Sequence, residues 1–181
     1  MRILGIDPGS VATGWGLVEM VDGTVRHVAH GTVRPPRGGS LATRLAFLHT
    51  GLGEVIGSYE PDRAVVERVF VSRNPRSALV LGHARGTVLA ALGGARIAVD
   101  ELSAREIKQA VVGTGSASKS QVQEMVTKLL ALRAKPASDA ADALAAAISA
   151  AHRGRLPALG VVGRRRRPTR RRAGWSSGGR A

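Results

Sequence analysis

The 181-residue chain has no cysteine. Disulfides, zinc-thiolate centres and thiol nucleophiles are therefore excluded, in keeping with a reducing compartment. Aromatic residues are nearly as scarce, with two Trp, one Tyr and two Phe. The core must be Val, Leu, Ile and Ala, and little is left for stacking on nucleobases. No apolar run reaches the length of a membrane span, and the apolar start Ile3 to Ile6 meets Asp7 too soon for the core of a secretion signal. The expected location is the cytoplasm, without a membrane partner. The five His are scattered without metal-ligand spacing, no glycine-rich stretch matches a P-loop, and there is no internal repeat.

What is present is a globular composition, 44% hydrophobic, of a size that fits one domain with a full core. The net charge of +14 is unevenly spread. Ten arginines and no acid lie between Arg153 and Ala181, which leaves +4 for the rest. Such a run cannot pack on itself. It reads as a disordered arm over residues 153–181 that pairs with phosphates and releases counterions, appended to a folded domain over 1–152. A polyarginine arm favours nucleic acid as the partner but specifies no chemistry.

Along the chain, alternation predicts strands over Arg2 to Asp7, Thr13 to Met20 and Val25 to Val33, joined by Pro8-Gly9-Ser10 and Asp22-Gly23. Ser40 can cap a helix that carries Leu41, Leu45, Leu48 and Leu52 and stops at Pro61-Asp62. A buried strand over Arg63 to Glu67, a helix over Pro75 to Leu92 and a fifth strand over Arg96 to Val99 follow. Helices over Ala104 to Ala110, Ser120 to Leu132 and Ser138 to Ala151 complete the body. A meander of three strands followed by strands alternating with helices predicts an α/β fold: a five-stranded mixed β-sheet flanked by α-helices.

Four acids lie within apolar text: Asp7, Glu67, Asp139 and Asp142. Burying ionised carboxylates costs several kcal/mol or more unless something compensates them, and a divalent cation can satisfy several at once. Asp7 and Glu67 end strands that can be neighbours, whereas Asp139 and Asp142 are three apart on one side of a helix start. Singly, each acid has an ordinary structural explanation, a turn cap or a helix-start charge. Together they point to a Mg²⁺ site. Two such ions can activate water for in-line attack on phosphorus and stabilise the leaving 3′ oxygen without a side-chain nucleophile.

The combination is similar to a known family. Gly5-Ile6-Asp7-Pro8-Gly9, Val66-Glu67-Arg68-Val69-Phe70, Leu81-Gly82-His83-Ala84-Arg85-Gly86, Lys108-Gln109-Ala110-Val111-Val112-Gly113 and Asp139-Ala140-Ala141-Asp142-Ala143-Leu144 resemble, in order and spacing, the RuvC Holliday junction resolvases over about Met1 to His152. The resemblance implies a ribonuclease H-like fold. It implies a homodimer that nicks two opposing strands of a four-way DNA junction in recombination and DNA repair, leaving 5′-phosphate and 3′-hydroxyl ends, and works beside a RuvA-RuvB branch-migration complex. Carried over position by position, Asp7, Glu67, Asp139 and Asp142 become catalytic ligands of two Mg²⁺ per subunit, with Mn²⁺ able to substitute. Some relatives carry His at the position of Asp139. Phe70, Lys108, Lys119, Arg76 and Arg85 become DNA contacts.

Three other readings compete. A ribonuclease H or ribosomal RNA-processing nuclease would share the acids but lack the glycine-arginine and Lys-Gln-x-Val-Val-Gly segments. Sugar kinases and actin-like ATPases also open on Gly-Ile-Asp-x-Gly, but need a duplicated domain and a longer chain. A non-catalytic architectural binder would work through its arginines alone.

Overall fold

The computed structural model describes residues 1–9, 11–68 and 74–153. Five strands, β1 (Arg2–Asp7), β2 (Thr13–Val21), β3 (Thr24–Val33), β4 (Arg63–Arg68) and β5 (Ala98–Ser103), form one sheet in the order β3-β2-β1-β4-β5. The pairs β1/β2 and β2/β3 are antiparallel, as a hairpin meander requires, while β1/β4 and β4/β5 are parallel and joined through helices. The helices are α1 (Leu41–Tyr59), α2 (Pro75–Gly94), α3 (Ala104–Val112), α4 (Lys119–Leu129) and α5 (Ser138–Arg153).

Alternation along the strands divides the core into two layers. Leu4, Ile6, Leu17, Ala64 and Val66 turn to α1 and α2, where they meet Leu48, Leu52, Val88 and Leu92. Ile3, Val18 and Val65 turn the other way, onto Leu144 and Ile148 of α5 and the apolar sides of α3 and α4. Fully buried side chains such as Leu144 and Ile148 contribute about 2–3 kcal/mol each by leaving water. The sheet is thus covered on both faces, as the composition demands of so aliphatic a chain.

Helix α5 lies against the sheet with no space between backbones. A Cβ added to Gly5 would run into the Ala143 carbonyl, and one added to Gly14 would run into that of Asp139. The alanines of α5 do the same from the other side, since Ala140, Ala143, Ala145 and Ala147 are all buried. Small residues on both partners therefore set the depth at which this helix sits.

Most element limits lie within two residues of the sequence pattern, and two elements shift further. The fifth strand was expected over Arg96 to Val99 but runs Ala98–Ser103. Arg96 adopts a left-handed φ of 58° and donates its N–H to the Gly93 carbonyl, so the chain is still turning out of α2 there. The polar residues that disguised the strand are paired: Asp100 with Arg63, and Glu101 with Arg85 and Arg68. Helix α4, expected over Ser120 to Leu132, begins one residue earlier because Ser118 is its cap. It ends at Leu129, ahead of Ala131, which has a left-handed φ of 49°.

Candidate active site

Strands β1 and β4 run parallel with Gly5 opposite Val65 and Ile6 opposite Val66, so their next residues, Asp7 and Glu67, stand side by side at the same end of the sheet. The turn after Asp7 is held by Thr13, which is buried: its hydroxyl accepts from the Gly9 N–H and donates to the Gly9 carbonyl, both at 3.4 Å. The seam of α5 on Gly5 and Gly14 brings the helix start to the same end of the sheet. A cleft of about 210 Å³ results, lined by Asp7, Glu67 and Asp142 with Lys108, Lys119, Ala104, Ile107 and Val122.

Two helix caps deliver the lysines. Ser118 accepts from the Gln121 N–H while Gln121 accepts in return from the Ser118 N–H, so α4 starts with Lys119 pointing at the acids. Its Nζ stands 3.4 Å from Asp142 Oδ2. Ser103 and Glu106 form the same reciprocal cap on α3, which carries Lys108. The backbone and hydroxyl of Ser103, then Arg153, hold the Glu106 carboxyl down at about 2.

The electrostatics show an excess of negative charge. Burial, then the fields of Glu67, Asp142 and Asp139, push the Asp7 carboxyl up to about 7. Burial and Asp142 raise Glu67. Asp142 is raised by burial despite the opposing pull of Lys119. Lys119 is itself raised, by Asp142 first. One ammonium contact does not offset this many acids.

Among the described residues, no three carboxylates or imidazoles stand tightly enough to enclose an ion by themselves. The donors, hard oxygens short of positive charge, fit a divalent cation that keeps some of its water and completes its shell with substrate oxygens.

Asp139 stands at the margin of the cleft. It raises Asp7 through space but does not line the cavity, and its Oδ2 is 3.9 Å from Nη2 of Arg34. Arg34 was not singled out from the sequence; only the β2/β3 register, which sets Thr32 opposite Gly14, reveals that the residue beyond β3 reaches α5. Of the other expected DNA contacts, Lys108 and Lys119 are at the cleft. Arg76 is exposed in the first turn of α2. Arg85 is directed into the protein, its Nη2 2.6 Å from Glu101 Oε1. Phe70 lies outside the described residues.

Comparison with known proteins gives one consistent result. The family described as "Crossover junction endodeoxyribonuclease RuvC" matches residues 3–150. A protein of that name from Thiobacillus denitrificans is 52% identical over 165 residues, 91% of this chain and 96% of the relative. One from Polynucleobacter necessarius is 49% identical over 157 residues, 87% of this chain and 92% of the relative. Among solved structures, Thermus thermophilus RuvC in complex with a Holliday junction substrate superposes with a TM-score of 0.79 at 32% identity, covering 86% of this chain and 95% of that one. The yeast mitochondrial resolvase Ydc2, at 12% identity and a TM-score of 0.61 over 82% of this chain and 78% of that one, shares the fold. The sheet, its order and its helical layers are those of the ribonuclease H-like resolvases, the family is one of metal-dependent nucleases, and the chain belongs to the RuvC family.

Proposed function

We propose that this protein resolves four-way DNA junctions by metal-dependent hydrolysis of two opposing strands, with Asp7, Glu67, Asp139 and Asp142 holding the metal. The observation that carries the reading is the cleft itself: acids from β1, β4 and α5 converge with two lysines, in a chain of this family. When bound, two Mg²⁺ per subunit, or Mn²⁺ in their place, would supply an activated water and stabilise the leaving 3′ oxygen. The chain's own groups do the rest. Asp7, whose carboxyl is pushed up by burial and then by the neighbouring acids, would release its proton to solvent where it holds a divalent cation. Lys119 leaves Asp142 for the scissile-strand phosphate, and Lys108 adds a second positive charge against the developing charge on phosphorus. The products carry 5′-phosphate and 3′-hydroxyl ends that ligase can reseal.

One cleft cuts one strand, so a two-fold junction calls for a two-fold homodimer. Leu79 supports this, lying 64% exposed on α2 one turn before Gly82 and two before Gly86, where added Cβ atoms would meet nothing. The arginine-rich residues 153–181 add sequence-independent affinity for DNA, and a RuvA-RuvB complex moves the junction while this protein cuts. On this reading the work takes place in the cytoplasm, beside the DNA it acts on; among the described residues no helix is long and apolar enough to cross a membrane.

Cleavage of a synthetic mobile junction beside linear duplex and an RNA/DNA hybrid, in Mg²⁺, Mn²⁺ or EDTA, tests the reading. Paired, resealable, metal-dependent nicks confined to the junction are expected. Cutting of the hybrid would reassign the substrate, and binding without cutting would leave only an architectural role.

A further inference from the structure

Strand β3 carries one irregularity. Leu17 faces Ala29 and Val18 faces His27, so Val28 has no partner and the strand bulges there. In a regular strand, residues 27 and 30 would point to opposite faces. The extra residue puts them on one face: His27 lies opposite Val18 and His30 opposite Gly16, both on the side covered by α5. The rings meet with His27 Nε2 and His30 Nδ1 2.8 Å apart. With His27 donating, His30 carries its own proton on Nε2 and holds that N–H in a fixed direction.

The chain returning from α4 to α5 passes in front of this pair. Thr24 to His27, His30 and Leu129 to Lys135 together line an open groove of about 780 Å³. Arg133 and Lys135 are exposed on the returning segment, Arg26 borders the β3 side, and among the described residues no carboxylate lines the groove. Glu124, whose field reaches Lys135, is itself held by Lys128 at 2.8 Å. On the same face of β3, Thr32 and Arg34 continue from His30 to Asp139 at the cleft. Four residues of strand separate His30 from Arg34, about 13 Å, which lies inside one helical turn of DNA.

We propose that this groove is a second phosphate-binding site, in which Arg133, Lys135 and the His27-His30 pair hold the backbone of a duplex arm leading away from the scissile strand. The inference rests on the reading of the protein as a junction nuclease. It accounts for features that protection of a sheet edge leaves unexplained. A basic residue and a bulge on β3 alone would discourage strand pairing, but Arg133 and Lys135 come from a different element and converge on the same opening. The ligand chemistry follows from the lining: cations, an imidazole pair that can turn one N–H outward and, among the described residues, no acid suit a phosphodiester. Burial and then the neighbouring His30 lower the His27 imidazole, and the fixed positive charge of the groove comes from Arg26, Arg133 and Lys135.

The test uses the full-length chain. Affinity for a synthetic junction and for linear duplex is measured by fluorescence anisotropy in EDTA across salt concentrations, for wild type, Arg133→Gln/Lys135→Gln and His30→Ala, with folding checked by circular dichroism. The double variant is expected to lower the slope of log affinity against log salt by about two. Wild type should then lose roughly tenfold more affinity than the variant between 50 and 200 mM salt. His30→Ala should weaken binding on both probes, and the cleavage rate at saturating protein with Mg²⁺ should stay at the wild-type value for both variants. Unchanged slopes and affinities in folded variants would overturn the proposal, as would a fall in the saturating rate with binding intact. A wild type that never cut the junction would sink the nuclease reading instead, and the EDTA binding data would still judge the groove.

Discussion

Asp7 shows how one residue can cost the fold something that the chemistry needs. Its carboxyl is pushed up to about 7 from 3.8 by burial and by the neighbouring acids. Between those two values the folded chain holds a proton that the unfolded chain has released. The contribution of Asp7 to stability without metal is therefore fully present below about 4, is lost as pH rises through that window and is gone above about 7. Replacing Asp7 by Asn removes the charge while keeping the shape. The expected result at pH 8 in EDTA is a gain on the order of 3 kcal/mol, read as a melting temperature higher by roughly 5–10 °C, together with loss of junction cutting and retention of junction binding. A variant that melted no higher than wild type would show that the acids do not repel one another as described. Because a metal must displace the same proton, the cutting rate at limiting Mg²⁺ should climb with pH through about 7, and saturating Mg²⁺ should move that rise to lower pH. A rate profile flat from pH 6 to 8 at limiting metal would refute this. The acids were legible in the sequence because a charged residue at the end of an apolar strand is anomalous on its face. Arg34 was not legible, since an arginine after a strand is ordinary until the pairing of β2 with β3 is known.

At the scale of elements, the decisive object is the seam between α5 and the sheet. Asp142 can join Asp7 and Glu67 only if the helix backbone comes down onto β1 and β2, and that depends on Gly5, Gly14 and the buried alanines. Hydrophobic alternation made β1 to β4 readable, and helical spacing with Ser, Pro and Gly punctuation made the helices readable. The strand β5 was displaced in the reading because its acids look like loop residues until Arg63, Arg68 and Arg85 are seen beside them. The depth of α5 was hidden for a different reason. Glycine in a strand ordinarily weakens it, and nothing local says that a particular glycine is there to admit another backbone. Gly5→Ala puts a methyl group against the Ala143 carbonyl, which is backbone and cannot rotate away. Destabilisation of about 2–4 kcal/mol is expected from chemical denaturation. The folded fraction should also cut more slowly than wild type, because a helix lifted off the sheet carries Asp139 and Asp142 with it. Wild-type cutting by the folded protein would mean that the acids do not depend on this seam.

For the molecule as a whole, what sequence periodicity cannot show is which surfaces remain for partners, because it reports that a face is apolar and not what covers it. The regular face of α2 is a case in point. Ala84, Val88, Ala91 and Leu92 are buried against the sheet, yet Leu79 stays 64% exposed, with exposed Gly82 and Gly86 after it. A lone exposed leucine needs no explanation, but here it stands beside two glycines that leave the helix backbone open to close approach. A second α2 related by a two-fold axis would bury Leu79 and bring the glycine surfaces together, as an isologous interface requires. Leu79→Glu would then place like charges opposite each other across the axis. Light scattering should show wild type at twice the chain mass and the variant at the chain mass at micromolar concentration. On a junction held in a supercoiled cruciform, wild type should give linear product from two nicks within one binding event, whereas the variant should accumulate nicked circles, because each cleft would arrive independently. Unaltered mass and unaltered linear product in the variant would move the interface away from α2. Monomeric wild type with paired nicking would show instead that the two clefts assemble only on the DNA, whose own two-fold symmetry would then bring the subunits together.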